Sequence, residues 1–584
     1  MVTHISALDN NTPKQIGENC HLENGWSNDI REKIVQFSFQ ITRPDETTVL
    51  KLKNILHGLL LRLKGMVESS WPTERTEGIQ YFKILYKMIG QTRDIIDGKG
   101  EYTLTYMMIH TWYSLFPNLA LFALKCLVDF GDEGNTHQYG SWKDIKYFCE
   151  YCKKQGAADD HPLIKYAIEL INTQLRTDAT QFELETVKSI SLSARWVPRE
   201  KSKFSWLFFL LARHYFSQYI DTAKTDNSKR SAVLKCNTEY RKLVSKLNVK
   251  LDTLQIKQCG KRWSDIDFNH LTSISGSKQR KALLNINADK TQRSEEEDRI
   301  ECARKFKEYI QKGVRGEVEI KGKRIGMEVL TKQALDLIKE MRCADVDENV
   351  RAQIDLLNAQ WKNNSTQTGA LSKIIAMVDV SGSMSGDPLN VAVALGIRVA
   401  EKSSLGRRVM TFSSVPSWCN LDNITDFVDM VDAVNGAEWG LNTNFYAALM
   451  LILEKIKETK LPPEEVEGMV LAIFSDMQID AGNTGLDMFS TIEKKYTKAG
   501  MELYGVPFKV PKILFWNLRS SDGFPALSTC KNAMMMSGFS PALLNLFCEN
   551  GLEALETCNP WNLLVQGLDN PRYKMMEKKI DENY

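Results

Sequence analysis

The feature that most constrains the fold is a run of five apolar residues, Ile374-Ile375-Ala376-Met377-Val378, that stops at Asp379 and is followed by a short Gly-containing loop and a helical stretch from Leu389 to Ala400. A strand that is apolar at every position, rather than at alternate ones, is buried on both faces, as in a parallel sheet covered by helices. The same pattern recurs. Arg408 to Phe412, Met469 to Phe474, Ile513 to Leu518 and Ala533 to Met536 read as strands, and Phe445 to Ile456, Ile492 to Ala499 and Pro541 to Cys548 read as helices. Residues 370–584 are therefore expected to form an α/β domain with a doubly wound parallel sheet. In such sheets the functional crevice lies beyond the carboxyl ends of the strands, where the strand order reverses. Asp379 and Asp476 fall at such ends.

Upstream the period changes. Leu50, Leu52, Ile55, Leu56, Leu59, Leu60 and Leu63 recur at three and four positions, which is helical spacing, and similar stretches continue to Trp361. With 584 residues the chain is multidomain. We expect an N-terminal extension over 1–45, an all-α HEAT-like helical repeat over 46–361, and a boundary in the polar stretch Lys362 to Gly369. No strict repeat period is visible. Within the charged stretch Lys290 to Gly326, residues 318–325 read as a hairpin insertion turning at Gly322.

Net charge becomes informative once it is divided by segment. Lys plus Arg number 75 against 73 Asp plus Glu, a formal charge of +2. Between Lys188 and Lys281, however, 20 basic residues face 7 acidic ones, leaving 55 basic against 66 acidic elsewhere. This segment includes Arg199, Lys201, Lys203, Arg241, Lys242, Lys261 and Arg262, interleaved with Trp196, Phe204, Trp206, Tyr240 and Trp263. Cations neutralise phosphates and aromatic rings stack bases, so the combination suits RNA. A plainer alternative stays open, with the rings in the core and the cations on solvated helix faces. Gly98-Lys99-Gly100 has the same two readings: glycines that let Lys99 approach a phosphate, or a break between helices, which we take as the simpler.

Twelve cysteines without framework spacing, a polar start and no long apolar run point to an intracellular, cytoplasmic protein with no membrane span. Cys149-x-x-Cys152 lies in a helical stretch with no second pair, so buried thiols are a simpler reading than zinc.

The chemistry is concentrated at Asp379-Val380-Ser381-Gly382-Ser383. One carboxylate and two hydroxyls in a tight loop offer hard oxygen ligands suited to Mg²⁺, with Mn²⁺ or Ca²⁺ as alternatives. The serines add no charge, so a bound ion stays positive and can take an acidic group from a partner. This motif resembles the metal-ion-dependent adhesion site of the von Willebrand factor A domain, whose sheet is Rossmann-like. The resemblance implies two further ligands: Thr443, in Leu441-Asn442-Thr443 where the family has Gly-Gly-Thr, and Asp476, in Ile473-Phe474-Ser475-Asp476. A polar loop capping the helix would explain the serines but not these two.

The resemblance extends upstream through Thr92 to Glu101, Phe116-Pro117, Tyr139 to Asp144, Trp196 to Lys201, Ile256 to Cys259 and Trp263 to Phe268. Together these resemble an uncharacterised family of plants and giant DNA viruses. Its layout, helical half then A domain, is similar to the TROVE family of Ro autoantigens. In Ro proteins the helical half closes into a ring that takes structured RNA on its outside and single-stranded ends in its hole. The resemblance therefore implies a non-catalytic ribonucleoprotein function, with structured or single-stranded RNA as partner.

Two other functions remain. One is a scaffold whose metal captures an acidic protein partner, with no RNA role. The other is a metal-dependent hydrolase. Against the latter, Ser381 stands where a haloacid-dehalogenase-type phosphotransferase has its second Asp, and no Walker loop, His-Glu-x-x-His or Gly-x-Ser-x-Gly occurs.

Overall fold

Prolines and polar caps set where the helices begin. Pro72, Pro117 and Pro162 each occupy the first turn of their helices, Pro72–Arg93, Pro117–Lys125 and Pro162–Glu183, where a missing N–H costs nothing. Asp45 accepts the Thr48 N–H at 2.8 Å to start Glu46–Val67, and Ser141 and Asp144 form a reciprocal cap at the head of Trp142–Lys154. A computed structural model describes residues 13–16, 22–131, 137–184, 190–343, 346–412, 416–437, 445–477, 485–548 and 559–584.

Among the described residues from Ile30 to Ser365 the regular elements are all helical; most pack on the next helix or the next but one, and Met327–Cys343 packs chiefly on Asp387–Lys402. Residues 318–325 are not a hairpin. No strand forms there, and the segment instead lies along the helix Glu348–Ser365. Asn363 Oδ1 accepts the Gly322 N–H at 2.6 Å, and Asn364 Nδ2 donates to the Gly322 carbonyl at 3.2 Å, so asparagine side chains do what a partner strand would. Gly322 is required because a Cβ there would sit 1.9 Å from the Gln360 carbonyl oxygen.

A short hairpin pairs β1 (Lys14–Ile16) with β2 (Leu22–Asn24). The main sheet comprises β3 (Ile374–Asp379), β4 (Arg408–Phe412), β5 (Ser417–Asn420), β6 (Val470–Ser475), β7 (Lys512–Asn517) and β8 (Ala533–Ser537), in the order β5-β4-β3-β6-β7-β8. All neighbours are parallel except β4 with β5, an antiparallel edge that the apolar runs did not indicate. The architecture is thus a helical half joined to an α/β part. Pro541–Phe547 is a 3₁₀ helix rather than an α-helix.

The two faces of the sheet bury different partners. Ile375, Met377, Leu471, Ile473 and Phe515 share one core with the N-terminal helices, whereas Ala376, Val378, Ala472, Phe474 and Trp516 pack with the helices Met327–Cys343, Glu348–Ser365 and Asp387–Lys402. Residues expected to close the helical half therefore cover one face of the sheet. Arg398, fully buried, lies 4.5 Å over the Trp361 ring and donates to Asn364 Oδ1 at 2.9 Å and Thr368 Oγ1 at 3.1 Å, which pins the two sides of the boundary together.

The first 45 residues are also more than an extension. The helix Ile30–Gln40 buries Ile34, Val35, Phe37 and Phe39, and its end lies on the carboxyl ends of β7 and β8. Asn517 Nδ2 donates to the Phe39 carbonyl at 3.0 Å, and Ser537 Oγ donates to the carbonyls of Ser38 and Ile41 at 2.8 and 3.0 Å. The last helix, Lys574–Asp581, returns to pack on Pro72–Arg93.

Candidate functional site

Strand order reverses between β3 and β6, and the residues that end these strands meet there. The parallel register aligns Val378 with Phe474, which brings the next residues, Asp379 and Ser475, side by side. Ser475 Oγ donates to Asp379 Oδ2 at 2.6 Å, and the Ser381 N–H donates to Asp379 Oδ1 at 2.9 Å. A single 3₁₀ turn, Gly382–Met384, then leads into Asp387–Lys402 through Gly386, whose φ of 98° an L side chain rarely adopts.

The loop presents its oxygens outward from a buried floor. Asp379 is fully buried and Ser381 nearly so, while Ser383 is exposed, and the two serine hydroxyls lie 3.0 Å apart. Asp476 is 1% exposed. The next residue, Met477, takes a left-handed φ of 67° and donates its N–H to Ser475 Oγ at 3.0 Å, so the chain turns sharply after β6. Burial is the largest influence on the Asp379 carboxyl and pushes its pKa up; the hydrogen bonds from Ser475 and Ser381 oppose this, and the nearby Asp476 adds to the rise. Arg519, just past β7, reaches Asp476 Oδ2 at 3.5 Å but is itself half exposed.

Two carboxylates and two hydroxyls on adjoining strand ends are a donor set of hard oxygens. Among the described residues no group of three or more His, Cys, Asp or Glu side chains could hold a metal, and here the oxygens beyond the carboxylates are hydroxyls. The residues fit a divalent cation, since such an ion would offset the burial of Asp379 and Asp476 close together. Four of the five expected ligands, Asp379, Ser381, Ser383 and Asp476, belong to this crevice; Thr443 lies outside the described residues. Ser475 and Arg519 were not anticipated. The Ser475-Asp476 pair ending a strand carried the signal for the first, and nothing local marked the second.

The seven basic candidates divide into two groups. Arg241 pairs with Glu200 at 2.7 Å, Lys242 with Glu239 at 3.0 Å, Lys261 with Glu296 at 2.8 Å and Arg262 with Asp252 at 2.6 Å. Arg199, Lys201 and Lys203 are exposed and make no ion pair among the described residues. The rings divide as well: Tyr240 and Phe204 are buried, with 0% and 5% exposure, and belong to the core, while Trp196, Trp206 and Trp263 are half-buried.

Lys99 does not face a phosphate. Its ammonium is buried between the two halves and donates to the carbonyls of Ser38 and Ile41, both at 2.9 Å, and to Ser537 Oγ at 2.7 Å. Desolvation brings its pKa down to about 7. Gly98 before it permits this path, because a Cβ there would lie 2.1 Å from the Gln91 carbonyl oxygen. Cys149 and Cys152 are buried free thiols, and burial raises the pKa of both, that of Cys152 to about 12. No helix among the described residues is long and apolar enough to cross a membrane.

Comparison with known proteins gives two likenesses. Residues 373–581 match a domain of unknown function (DUF7788). Over 507 residues the chain is 29% identical to "Uncharacterized protein L728" of Acanthamoeba polyphaga mimivirus, an alignment that covers 83% of this chain and 78% of the viral one.

Proposed function

We propose that this chain is a non-catalytic RNA-binding protein, with a helical half of TROVE-like type that carries the RNA and a von Willebrand factor A-like part that holds a divalent cation. The observation that carries the RNA reading is the surface of the helix Asp226–Leu251. Its buried face is Ala232, Cys236, Asn237, Tyr240 and Leu247, while Lys229, Arg230, Lys235, Arg241, Lys242, Lys246 and Lys250 are all exposed. Five of them, Lys229, Arg230, Lys235, Lys246 and Lys250, make no ion pair among the described residues, and phosphodiesters supply matching charge without needing base contacts. The test is sequencing of RNA crosslinked to the full chain in cells. RNA recovered above background is the expected result, and its absence overturns the reading.

The cation would be held by Asp379, Ser381, Ser383 and Asp476, with Thr443 as the further ligand that the family resemblance implies. Mg²⁺ fits this oxygen set, and Mn²⁺ or Ca²⁺ are the alternatives. A bound ion would supply an electrophilic point for an acidic group. The chain's own part is to hold two carboxylates together on strand ends while Ser475 orients Asp379. This crevice also favours a second reading, a scaffold that captures an acidic protein partner with no RNA role. A hydrolase is the weakest of the three, because Ser381 stands where a phosphotransferase of this layout has its second Asp.

A further inference from the structure

A second group of unpaired cations in the helical half lies outside the Asp226–Leu251 helix. Helix Trp142–Lys154 places Lys143, Lys146 and Tyr147 three and four residues apart, hence on one face. Lys143 Nζ lies 5.9 Å from the Tyr102 ring and 5.4 Å from that of Tyr147. Lys146 Nζ is enclosed by three rings, Tyr147 at 5.0 Å and Trp196 and Phe204 both at 5.1 Å. Lys203 Nζ covers the Phe204 ring at 4.8 Å, and the Arg195 guanidinium lies 5.6 Å from Trp196. None of these four cations has a carboxylate partner among the described residues, in contrast to Arg241, Lys242, Lys261 and Arg262.

The cluster is held against its own repulsion. Burial first, and then Lys143 and Lys203, lower the pKa of Lys146; burial, and after it Lys278 and Arg93, lower that of Lys143, against which Asp144 acts. Asp144 is already held by Arg93, at 2.7 and 2.9 Å, and by Tyr106, at 2.7 Å. Ring faces contribute only modestly to holding an ammonium. Several convergent cations, with Asp144 already engaged by Arg93 and Tyr106, therefore call for an external anion carrying several charges. The rings specify what lies between those charges: Tyr102 is 51% exposed and Tyr147 and Trp196 are half-buried, so flat groups can reach them.

We infer that the surface formed by Lys143, Lys146 and Lys203 with Tyr102, Tyr147 and Trp196 binds a single-stranded segment of RNA, phosphates on the ammonium groups and unpaired bases on the rings. The inference rests on the RNA-binding reading above and adds to it the place and the strandedness. A duplex keeps its bases stacked on one another and offers these rings nothing.

The test titrates the full chain with a fluorescent oligouridylate, a duplex RNA of equal charge and inorganic polyphosphate, each over a range of salt. Lys143→Gln combined with Lys146→Gln, which keeps the stems and removes two charges, should weaken oligouridylate binding by about tenfold or more and reduce the slope of log affinity against log salt by about 1.4, at about 0.7 per phosphate contact. Arg304→Gln combined with Lys312→Gln, at surface cations paired with Glu301 and Glu308 on a different helix, Glu297–Val314, should change binding less than about threefold. Tyr102→Ala should weaken oligouridylate and leave polyphosphate unchanged. If RNA is crosslinked in cells but the Lys143 and Lys146 substitutions leave affinity and slope intact, this site is wrong and the RNA reading stands. If duplex or polyphosphate binds as tightly as oligouridylate, the single-strand assignment is overturned. If neither oligouridylate nor cellular RNA binds, both fail together.

Discussion

Arg572 grips Asp94 with two parallel hydrogen bonds, Nε to Oδ2 at 2.6 Å and Nη2 to Oδ1 at 2.7 Å, and thereby fastens the end of the chain to the helical half. The Asp94 side chain is fully buried and that of Arg572 is 10% exposed. Removing one partner strands the other charge away from water. Arg572→Met should cost about 3 kcal/mol of unfolding free energy, measured by denaturant titration, and Arg572→Met with Asp94→Leu should recover much of it, because an apolar pair leaves no stranded charge. A double variant as unstable as the sum of its parts would refute the pairing.

Lys99 gives a pH dependence of definite sign. Its folded pKa of about 7 lies below the free value of about 10.4, so across that window the unfolded chain binds a proton that the folded chain has released. Stability therefore rises with pH between these limits, by up to about 1.4 kcal/mol per unit from this group, and the contribution is flat below them. Subtracting the unfolding free energies of Lys99→Met from those of the wild type, at about pH 7 and about pH 9, isolates it. A difference that does not change with pH would refute the assignment.

Divalent cations should raise the melting temperature. At a free Mg²⁺ concentration about 100 times its dissociation constant, binding to the folded state alone stabilises by about 2.7 kcal/mol. Asp379→Asn and Asp476→Asn should each abolish the rise, with chelator-treated protein as the reference. A wild-type melting temperature indifferent to Mg²⁺, Mn²⁺ and Ca²⁺ would remove the metal reading.

If a divalent cation is held in the crevice, Arg519 would compete with it for Asp476. Its 3.5 Å approach to Oδ2 comes from a side chain that is 47% exposed, so the pair is partly screened by water. Arg519→Ala should tighten Mg²⁺ binding by about two- to fivefold, as read by calorimetry, the range expected for loss of an exposed cation. Weaker binding would mean that Arg519 supports the site.

What the sequence made legible was the periodicity. Ile374 to Val378, buried at every position, declared a covered strand, and Leu52 to Leu63 declared a helix. Asp379 and Asp476 could be placed at strand ends because Asp379 directly follows an apolar run and Asp476 follows one after a single serine. Three kinds of relationship were hidden. Residues 318–325 alternate like a strand yet pair with Asn363 and Asn364, partners that no local pattern names. Arg519 approaches Asp476 only because β7 lies beside β6, a fact of strand order rather than of spacing. Lys143 and Lys146 precede the basic segment, and it is the fold that brings them over Trp196 and Phe204.

The placing of the helix Ile30–Gln40 across the ends of β7 and β8 has a consequence for synthesis. Ser537 bonds the carbonyls of residues 499 and 496 positions before it, so this helix leaves the ribosome long before the surface it covers exists. Val35 and Phe39 must wait, exposed or provisionally sheltered, until β8 arrives. A fragment limited to 373–581 would in turn leave the strand ends at Asn517 and Ser537 without their cover. The stretch matched by the domain of unknown function is therefore not one that matures alone, and the helix Ile30–Gln40 is among the last parts of the chain to reach its final contacts.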